Sequence, residues 1–348
     1  MITVLVVDDS PSVRDFMTHV LGSDPGLRVI GTAGNGEEAL ELARIRKPDV
    51  ITMDIHMPKM DGFEATRRIM ETCPAPIVIV SGSTSVHEVA TTFRALEMGA
   101  LAVVPRPDGI GHAQHETTAR GLVDTVKLMS EVKVVKRWAQ SRAGTPLTRA
   151  REPSAERLAG RVELVAVGAS TGGPQALHVL LSGLPKDFPA PVVIVQHIAS
   201  GFLEGLVEWL AGSCALPIHI AREGESIRAG SVYMAPDGYQ MAVRSAGLIS
   251  LTSGAPINLH RPSVSYLFRS VAETYGRKAA GVLLTGMGKD GAEELSLMKQ
   301  RGAVTIVQDA KTSVVHGMPG EAIRLEAAAY VLGPAAIATL LSRLARPG

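Results

Sequence analysis

Short apolar runs alternate with helical patterns over the first part of the chain. The helical patterns, in which apolar residues recur every three or four positions, include Ser12–Leu21, Gly36–Arg46 and Ser85–Met98. The apolar runs, each of strand length, are Ile2–Val7, Val29–Ala33, Val50–Met53, Ile77–Val80 and Ala102–Val104. Alternation of this kind predicts a five-stranded, parallel, doubly wound α/β domain over residues 1–125.

The alternation is interrupted once and then resumes. Residues 126–161 complete a helical pattern and then become a linker rich in Arg, Ala, Pro, Ser and Thr. From Leu164 onward strands and helices alternate again, which predicts a larger, mostly parallel α/β domain over residues 162–348. Its middle, Ile218–Thr252, has short strands separated by turns and predicts an antiparallel addition to the sheet.

Composition limits the location and the partners. The 35 basic and 34 acidic residues leave no overall charge that would attract nucleic acid or an anionic membrane. The two cysteines, Cys73 and Cys214, are far apart in the chain and fit a reducing cytosol. No apolar run approaches the roughly 18 residues that a membrane span needs. We therefore expect a soluble, cytoplasmic protein that neither binds nucleic acid nor inserts into a membrane.

Polar side chains follow the strands of the first domain. Asp8 and Asp9 come after the first strand and Asp54 after the third, so a parallel sheet gathers them at its carboxyl edge. Aspartates after strands also form turns and caps, but Ser81 and Arg106 follow the fourth and fifth strands at the same edge. Three carboxylates repel one another and favour Mg²⁺ among them. The pattern predicts a Mg²⁺ site at which Asp54 attacks a phosphoryl donor.

In the second domain, Ser170 lies on a glycine-rich turn between a strand and a helix. The run Gly168–Gly173 contains the G-x-S-x-G spacing of a nucleophile elbow, although such turns also bind phosphate. His197 follows the next strand, and Asp290 lies in a glycine-rich loop after a later one. We predict that Ser170, His197 and Asp290 converge as a triad, with His316 as a rival to His197.

The first domain resembles the receiver domain of two-component response regulators. The motifs that carry the resemblance are Val6–Ser10, Met53–Gly62 and Val80–Gly82. It implies a flavodoxin-like fold, Mg²⁺ held by Asp8, Asp9 and the phosphoacceptor Asp54, and a histidine kinase as the phosphodonor. It also implies that Ser81 moves onto the phosphoryl group and that Arg106 neutralises it.

The second domain is similar to the catalytic domain of the chemotaxis protein-glutamate methylesterases. The motifs are Gly168–Pro174, Gln196–His197, His260–Val264, Leu284–Gly291 and Thr312–Pro319. The similarity implies Ser170 as nucleophile, His197 as base and Asp290 as the residue that orients it. It further implies that the backbone amides of Thr171 and Met287 bind the oxyanion. The substrates would be glutamate methyl esters and glutamines of methyl-accepting chemoreceptors, without a cofactor, and phosphorylation of the receiver would activate the enzyme.

Three positions depart from the patterns of these families. Arg106 stands where a lysine before proline is usual, Val103 where an aromatic residue often lies, and Ser265 where an acidic residue is common. Two other functions deserve comparison, a transcription-type response regulator and a noncatalytic receiver with an adaptor domain. The long α/β second half disfavours the first, because DNA-binding output domains are usually small and helical.

Overall fold

The computed structural model describes residues 1–83, 85–134 and 162–345. The chain forms two compact units that divide near residue 147. Of the helix end and linker predicted for residues 126–161, the part from residue 135 onward lies outside the described residues. The predicted domain limits at residues 125 and 161 therefore stay predictions.

The first unit alternates strands and helices from its first residues. Its elements are β1 (Ile2–Val7), α1 (Pro11–Gly22), β2 (Leu27–Ala33), α2 (Gly36–Arg46), β3 (Val50–Met53), α3 (Gly62–Thr72), β4 (Ile77–Ser81), α4 (Val86–Phe93), α5 (Ala95–Met98), β5 (Ala102–Pro105) and α6 (His115–Ser130). The helix predicted over Ser85–Met98 is divided in two, because the Arg94 N–H bonds to the Thr91 carbonyl three residues back and tightens the turn there.

The five strands of this unit form one parallel sheet in the order β2-β1-β3-β4-β5. This order is that of flavodoxin-like folds, in which the chain reverses its direction of winding at β1 and β3. The predicted fold of the first domain is confirmed. Asp8 and Asp54 consequently lie at the ends of two neighbouring strands, at the point where such sheets bind ligands.

The second unit has nine strands and six α-helices among its described residues. They are β6 (Leu164–Ala169), α7 (Gly173–Ser182), β7 (Val192–Gln196), α8 (Leu203–Ala211), β8 (Ile218–Ile220), β9 (Val232–Met234), β10 (Gln240–Arg244), β11 (Leu248–Thr252), α9 (Val264–Thr274), β12 (Ala279–Leu283), α10 (Ala292–Gln300), β13 (Val304–Gln308), α11 (Gly317–Arg324), β14 (Tyr330–Leu332) and α12 (Pro334–Ala345).

Seven of these strands form a parallel sheet in the order β14-β13-β12-β6-β7-β9-β8. Strands β10 and β11 form the predicted antiparallel pair as a hairpin of their own. The other two strands of the predicted antiparallel stretch, β8 and β9, join the main sheet in parallel. Parallel neighbours need a connection that carries the chain back to the end of the sheet where the strands begin. Helix α8 makes this connection before β8, and the loop between β8 and β9 makes it before β9.

The central strands position the site. All residues of β6, β7 and β12 are buried, as expected for parallel strands covered on both faces. Their registers pair Ala169 with Gln196 and Gly168 with Leu283. The residues that follow β6, β7 and β12 therefore emerge side by side at the carboxyl edge of the sheet.

Candidate active site and phosphoacceptor site

Ser170 lies on the sharp turn that connects β6 to α7. Its backbone N–H donates to the Thr285 carbonyl (3.0 Å), and its carbonyl accepts from the Gly173 N–H (2.7 Å). Gly172 supplies the left-handed conformation of the turn with φ 76°. The loop after β12 packs closely against this turn, since a Cβ added at Gly286 would lie 2.6 Å from the Ser170 Cβ. Both glycines are thus needed to bring the serine to the surface of the edge.

His197 follows β7 directly and faces Asp290. Its backbone N–H donates to the Ala169 carbonyl (2.9 Å), which continues the strand pairing past the end of β7. The ring Nε2–H donates to the Asp290 Oδ2 (3.0 Å), with the two side chains 9% and 2% exposed. Nδ1 is buried and has no hydrogen-bond partner among the described residues. With the proton on Nε2, Nδ1 carries the lone pair that can accept a proton.

The Asp290 carboxylate accepts hydrogen bonds on both oxygens. Besides His197, its donors are the Asn258 side-chain amide (3.0 Å), the Ser263 hydroxyl (2.9 Å) and the backbone N–H groups of Val264 (2.7 Å) and Ser265 (3.2 Å). Burial alone raises the pKa of this carboxyl, but the hydrogen bonds from His197 and Asn258 outweigh burial and leave the pKa below its usual range. Asp290 is therefore held as an anion that orients the imidazole.

The rival histidine, His316, lies elsewhere on the same edge. Its Nδ1 is 3.3 Å from the Ser313 hydroxyl, and Asp290 is not among the described partners of His316. His316 lies beside Gly286 in a bridge between two loops, immediately before α11. Burial lowers the pKa of His316, with the Asp309 charge acting against it. Of the two histidines, His197 is the one that the structure pairs with Asp290.

The carboxyl edge of the first sheet collects the predicted acidic cluster. Burial and the neighbouring Asp8 charge raise the pKa of Asp54 to about 6. Burial also raises the pKa of Asp8, although the Ser10 N–H on its carboxylate (3.0 Å) opposes this effect. Carboxylates whose ionisation is disfavoured in this way gain from a nearby cation.

Ser81 and Arg106 complete this edge. Ser81 is the last residue of β4 and is 8% exposed, and its carbonyl accepts from the Arg106 N–H (2.7 Å). The Arg106 guanidinium lies over Gly82, where an added Cβ would come within 2.5 Å of Nη2. The guanidinium charge also acts to lower the pKa of Asp8. Ser81 and the Arg106 guanidinium thus lie at the same edge of the sheet as the acidic residues.

The chemistry of this cluster fits Mg²⁺. No three His, Cys, Asp or Glu side chains in the described ranges 1–83, 85–134 and 162–345 are arranged to hold a metal by themselves. Asp8 and Asp9 nevertheless lie close enough for their charges to raise the pKa of Asp54, and all their donor atoms are oxygens. Mg²⁺ prefers oxygen ligands and keeps several waters beside its carboxylate ligands, so these residues suit the ion.

Comparison with protein families accounts for both units. Residues 165–341 match the model of the CheB methylesterase family, and residues 4–112 match that of the response regulator receiver domain. The chain belongs to the CheB methylesterase family. This membership confirms the predicted combination of a receiver with a methylesterase domain.

Relatives of this chain match it over nearly its whole length. The protein-glutamate methylesterase/protein-glutamine glutaminase of Nitrosospira multiformis is 59% identical over 345 residues, which are 99% of this chain and 97% of the relative. The protein-glutamate methylesterase/protein-glutamine glutaminase 4 of Geobacter metallireducens is 54% identical over 99% of both chains. The crystal structure of the Thermotoga maritima CheB methylesterase catalytic domain has a TM-score of 0.51 and 38% identity, over 53% of this chain and 98% of that one. The predicted family, enzyme class and α/β fold are confirmed.

The methylesterase has two free backbone N–H groups beside Ser170. The N–H groups of Thr171 and Met287 have no hydrogen-bond partner in the part of the chain that the structure describes. The Gly286 carbonyl accepts from the Gly317 (3.1 Å) and Met318 (2.9 Å) N–H groups. The Gly286 carbonyl and the Met287 N–H belong to one trans peptide and point in opposite directions. Because the carbonyl points toward the start of α11, the Met287 N–H points away from α11. Both predicted oxyanion donors are therefore available to a ligand.

Sequence reasoning missed several residues that support the site. Gln196 is 3% exposed, and its side-chain amide donates to the Ser170 and His197 carbonyls (2.8 Å each). The His260 ring stacks on His197 with centroids 3.8 Å apart and planes inclined by 11°. Gln196 and His260 stood inside the motifs of the family resemblance and could have been flagged there. Asn258 lies outside those motifs, and nothing local in the sequence indicated its contact with Asp290.

No helix within the described residues is both long and apolar enough to span a bilayer.

Proposed function

We propose that this protein hydrolyses glutamate methyl esters of methyl-accepting chemoreceptors through Ser170, His197 and Asp290. The observation that carries the proposal is the His197 ring, whose Nε2–H donates to Asp290 at 3.0 Å, while the buried Nδ1 has no partner in the described ranges of the chain. Ser170 follows the strand next to that of His197. A base with this tautomer can take the serine proton.

The reaction proceeds in two halves. The Ser170 Oγ attacks the ester carbonyl carbon as Nδ1 of His197 accepts the hydroxyl proton, and the N–H groups of Thr171 and Met287 bind the oxyanion. His197 returns the proton to the leaving methoxide, so methanol departs and an acyl-enzyme forms. Water, deprotonated by His197, then attacks the acyl carbon, the bond from this carbon to the Ser170 Oγ breaks, and His197 returns the proton to Oγ, which releases glutamate and restores the serine. A glutamine side chain follows the same steps with ammonia as the leaving group, so the same site would deamidate glutamine.

The receiver would control this reaction. The Asp54 carboxylate attacks the phosphoryl group supplied by a chemotaxis histidine kinase, the Ser81 hydroxyl moves onto the new phosphoryl group, and Arg106 neutralises its charge. Mg²⁺ held by Asp8, Asp9 and Asp54 would offset negative charge on the transferring group. Receptor tails, kinase and enzyme would then meet in the cytoplasm.

The test is methanol release from membranes that carry methyl-labelled receptors. Ser170→Ala and His197→Ala should each lower kcat at least about 10⁴-fold. Asp290→Asn should be similarly slow, because an amide there favours the wrong imidazole tautomer. His316→Ala should keep most of the turnover. Full activity in His197→Ala would refute the proposed base, and a wild type inert toward methylated receptors would favour the noncatalytic adaptor.

A further inference from the structure

A tight turn lies over the His197–Asp290 pair. Ile257 and His260 exchange both backbone hydrogen bonds (3.0 and 2.9 Å) across the two residues between them. Those two residues, Asn258 and Leu259, are both left-handed, with φ 51° and 68°. Two successive left-handed residues form the type I′ turn, for which asparagine is well suited at the first position. The turn is therefore a defined local structure and not an irregular loop.

The side chains of this turn divide between the site and the solvent. The Asn258 Nδ2 donates to the Asp290 Oδ1 (3.0 Å) and to the Ser265 Oγ (3.1 Å), so both amide hydrogens are used. The His260 ring covers one face of His197. Leu259, between them, is 95% exposed. The two inward side chains contact both members of the His–Asp pair.

We propose that Asn258 is a positioning residue that fixes the Asp290 carboxylate for its hydrogen bond to His197. This inference rests on the proposed function and adds a residue to it. The Asp290 Oδ2 accepts from His197 and from the Val264 N–H, and the donors on Oδ1, which include the Ser263 hydroxyl and the Ser265 N–H, keep the carboxylate from rotating away. Asn258 provides such a donor from a separate loop, and it is uncharged, so it holds the anion without competing with the imidazole for its charge.

Two titratable side chains, His260 and Lys289, adjoin the pair. His260 stacks on His197, and burial together with the His197 charge lowers the pKa of His260. Lys289, the chain neighbour of Asp290, is exposed. Asn258 and Ser265 are neutral. A carboxylate in place of Asn258 would thus be a new charge directly beside the pair.

The decisive variant is Asn258→Asp, which keeps the size of the side chain. It removes both amide hydrogens and places a second carboxylate against Asp290. A nearby negative charge stabilises imidazolium, so the acid limb of the kcat/KM profile should move up by about one pH unit. Above that limb, kcat should fall about tenfold or more while KM for methylated receptor stays unchanged, because the turn acts through Asp290. NMR titration of the His197 and His260 imidazoles assigns the limb to its residue.

The control is Leu259→Ala in the same turn, which keeps the left-handed backbone and touches neither member of the pair. It should retain the wild-type pH profile and kcat. If Asn258→Asp fails to fold by circular dichroism, Asn258→Ser replaces it and should lower kcat with KM unchanged. A wild-type acid limb and wild-type kcat in the folded Asn258 variant overturn this inference. Activity that survives in Ser170→Ala would instead overturn the proposed function, so the two failures are distinguishable.

Discussion

At the scale of single residues, Asp54, the proposed phosphoacceptor, has surroundings that disfavour its charge. Burial and Asp8 raise its pKa from 3.8 to about 6. The folded protein then binds a proton more tightly than the unfolded chain between about pH 4 and 6. Stability therefore falls as pH rises through this window, and the loss persists above it.

Asp54→Asn removes this penalty. We expect the variant to be more stable than the wild type at pH 7.5 by about 1–3 kcal/mol, after allowance for partial exposure of the site. The difference should shrink toward zero as the pH falls from 6 to 4, because the wild-type carboxyl becomes neutral. Urea unfolding of the receiver at several pH values measures it, and Mg²⁺ should stabilise the wild type more than the variant. Asp15→Asn, at an exposed position of α1, should change stability by less than about 0.5 kcal/mol. An equal stability of wild type and Asp54→Asn at pH 7.5 would contradict this account.

At the scale of elements, the junction of β6, β7 and α7 depends on one close approach. A Cβ at Gly173, the first residue of α7, would lie 2.0 Å from the Gln196 Oε1. The Gln196 amide joins the end of β6 to the end of β7 through the Ser170 and His197 carbonyls. Helix α7 can thus begin directly behind Ser170 only because its first residue has no side chain.

Gly173→Ala should displace Gln196 and disturb both catalytic turns. We expect the free energy of unfolding of the second unit to fall by about 1–3 kcal/mol and kcat to fall as well. Gly121→Ala is the matched control, because Gly121 lies within α6 and an added Cβ meets nothing within 4 Å. That exchange should stabilise the receiver by about 0.5–1 kcal/mol. Unfolding is followed with probes for each unit separately. A Gly173→Ala enzyme as stable and as active as the wild type would show that Gln196 has room to move.

At the scale of the whole molecule, the chain joins two units that each have their own sheet and core. The Thermotoga maritima catalytic domain, similar over 53% of this chain, was crystallised as a separate domain. If the unphosphorylated receiver inhibits the hydrolase, as the family resemblance implies, removal of residues 1–155 should raise methanol release. Couplings of this kind usually correspond to roughly 5- to 150-fold. A small phosphodonor with Mg²⁺ should stimulate the full-length enzyme and leave Asp54→Asn at its basal rate. A truncated enzyme slower than the full chain would exclude inhibition by the receiver.

Much of the architecture could be predicted because it is encoded locally. In the first unit, the apolar runs placed the strands β1 and β3 without error and β2, β4 and β5 to within two residues. The strand ends then located Asp54, Ser170 and His197, since side chains after parallel strands share one edge. Motif resemblance added the expected roles. The division of α4 from α5 escaped prediction because a tightened turn at Arg94 leaves the helical period of the sequence nearly unchanged.

Local sequence by itself determined the two α/β units, the carboxyl edges and the residues presented there. The tertiary structure decided which of those residues meet. It placed β12 beside β6, so that Asp290 pairs with His197 and not with His316, and it made β8 and β9 parallel members of the sheet. It also brought Asn258 to Asp290 across 32 residues of chain. The physical reason is that strand order and loop packing depend on the burial of distant surfaces against one another, which no local period of the sequence records.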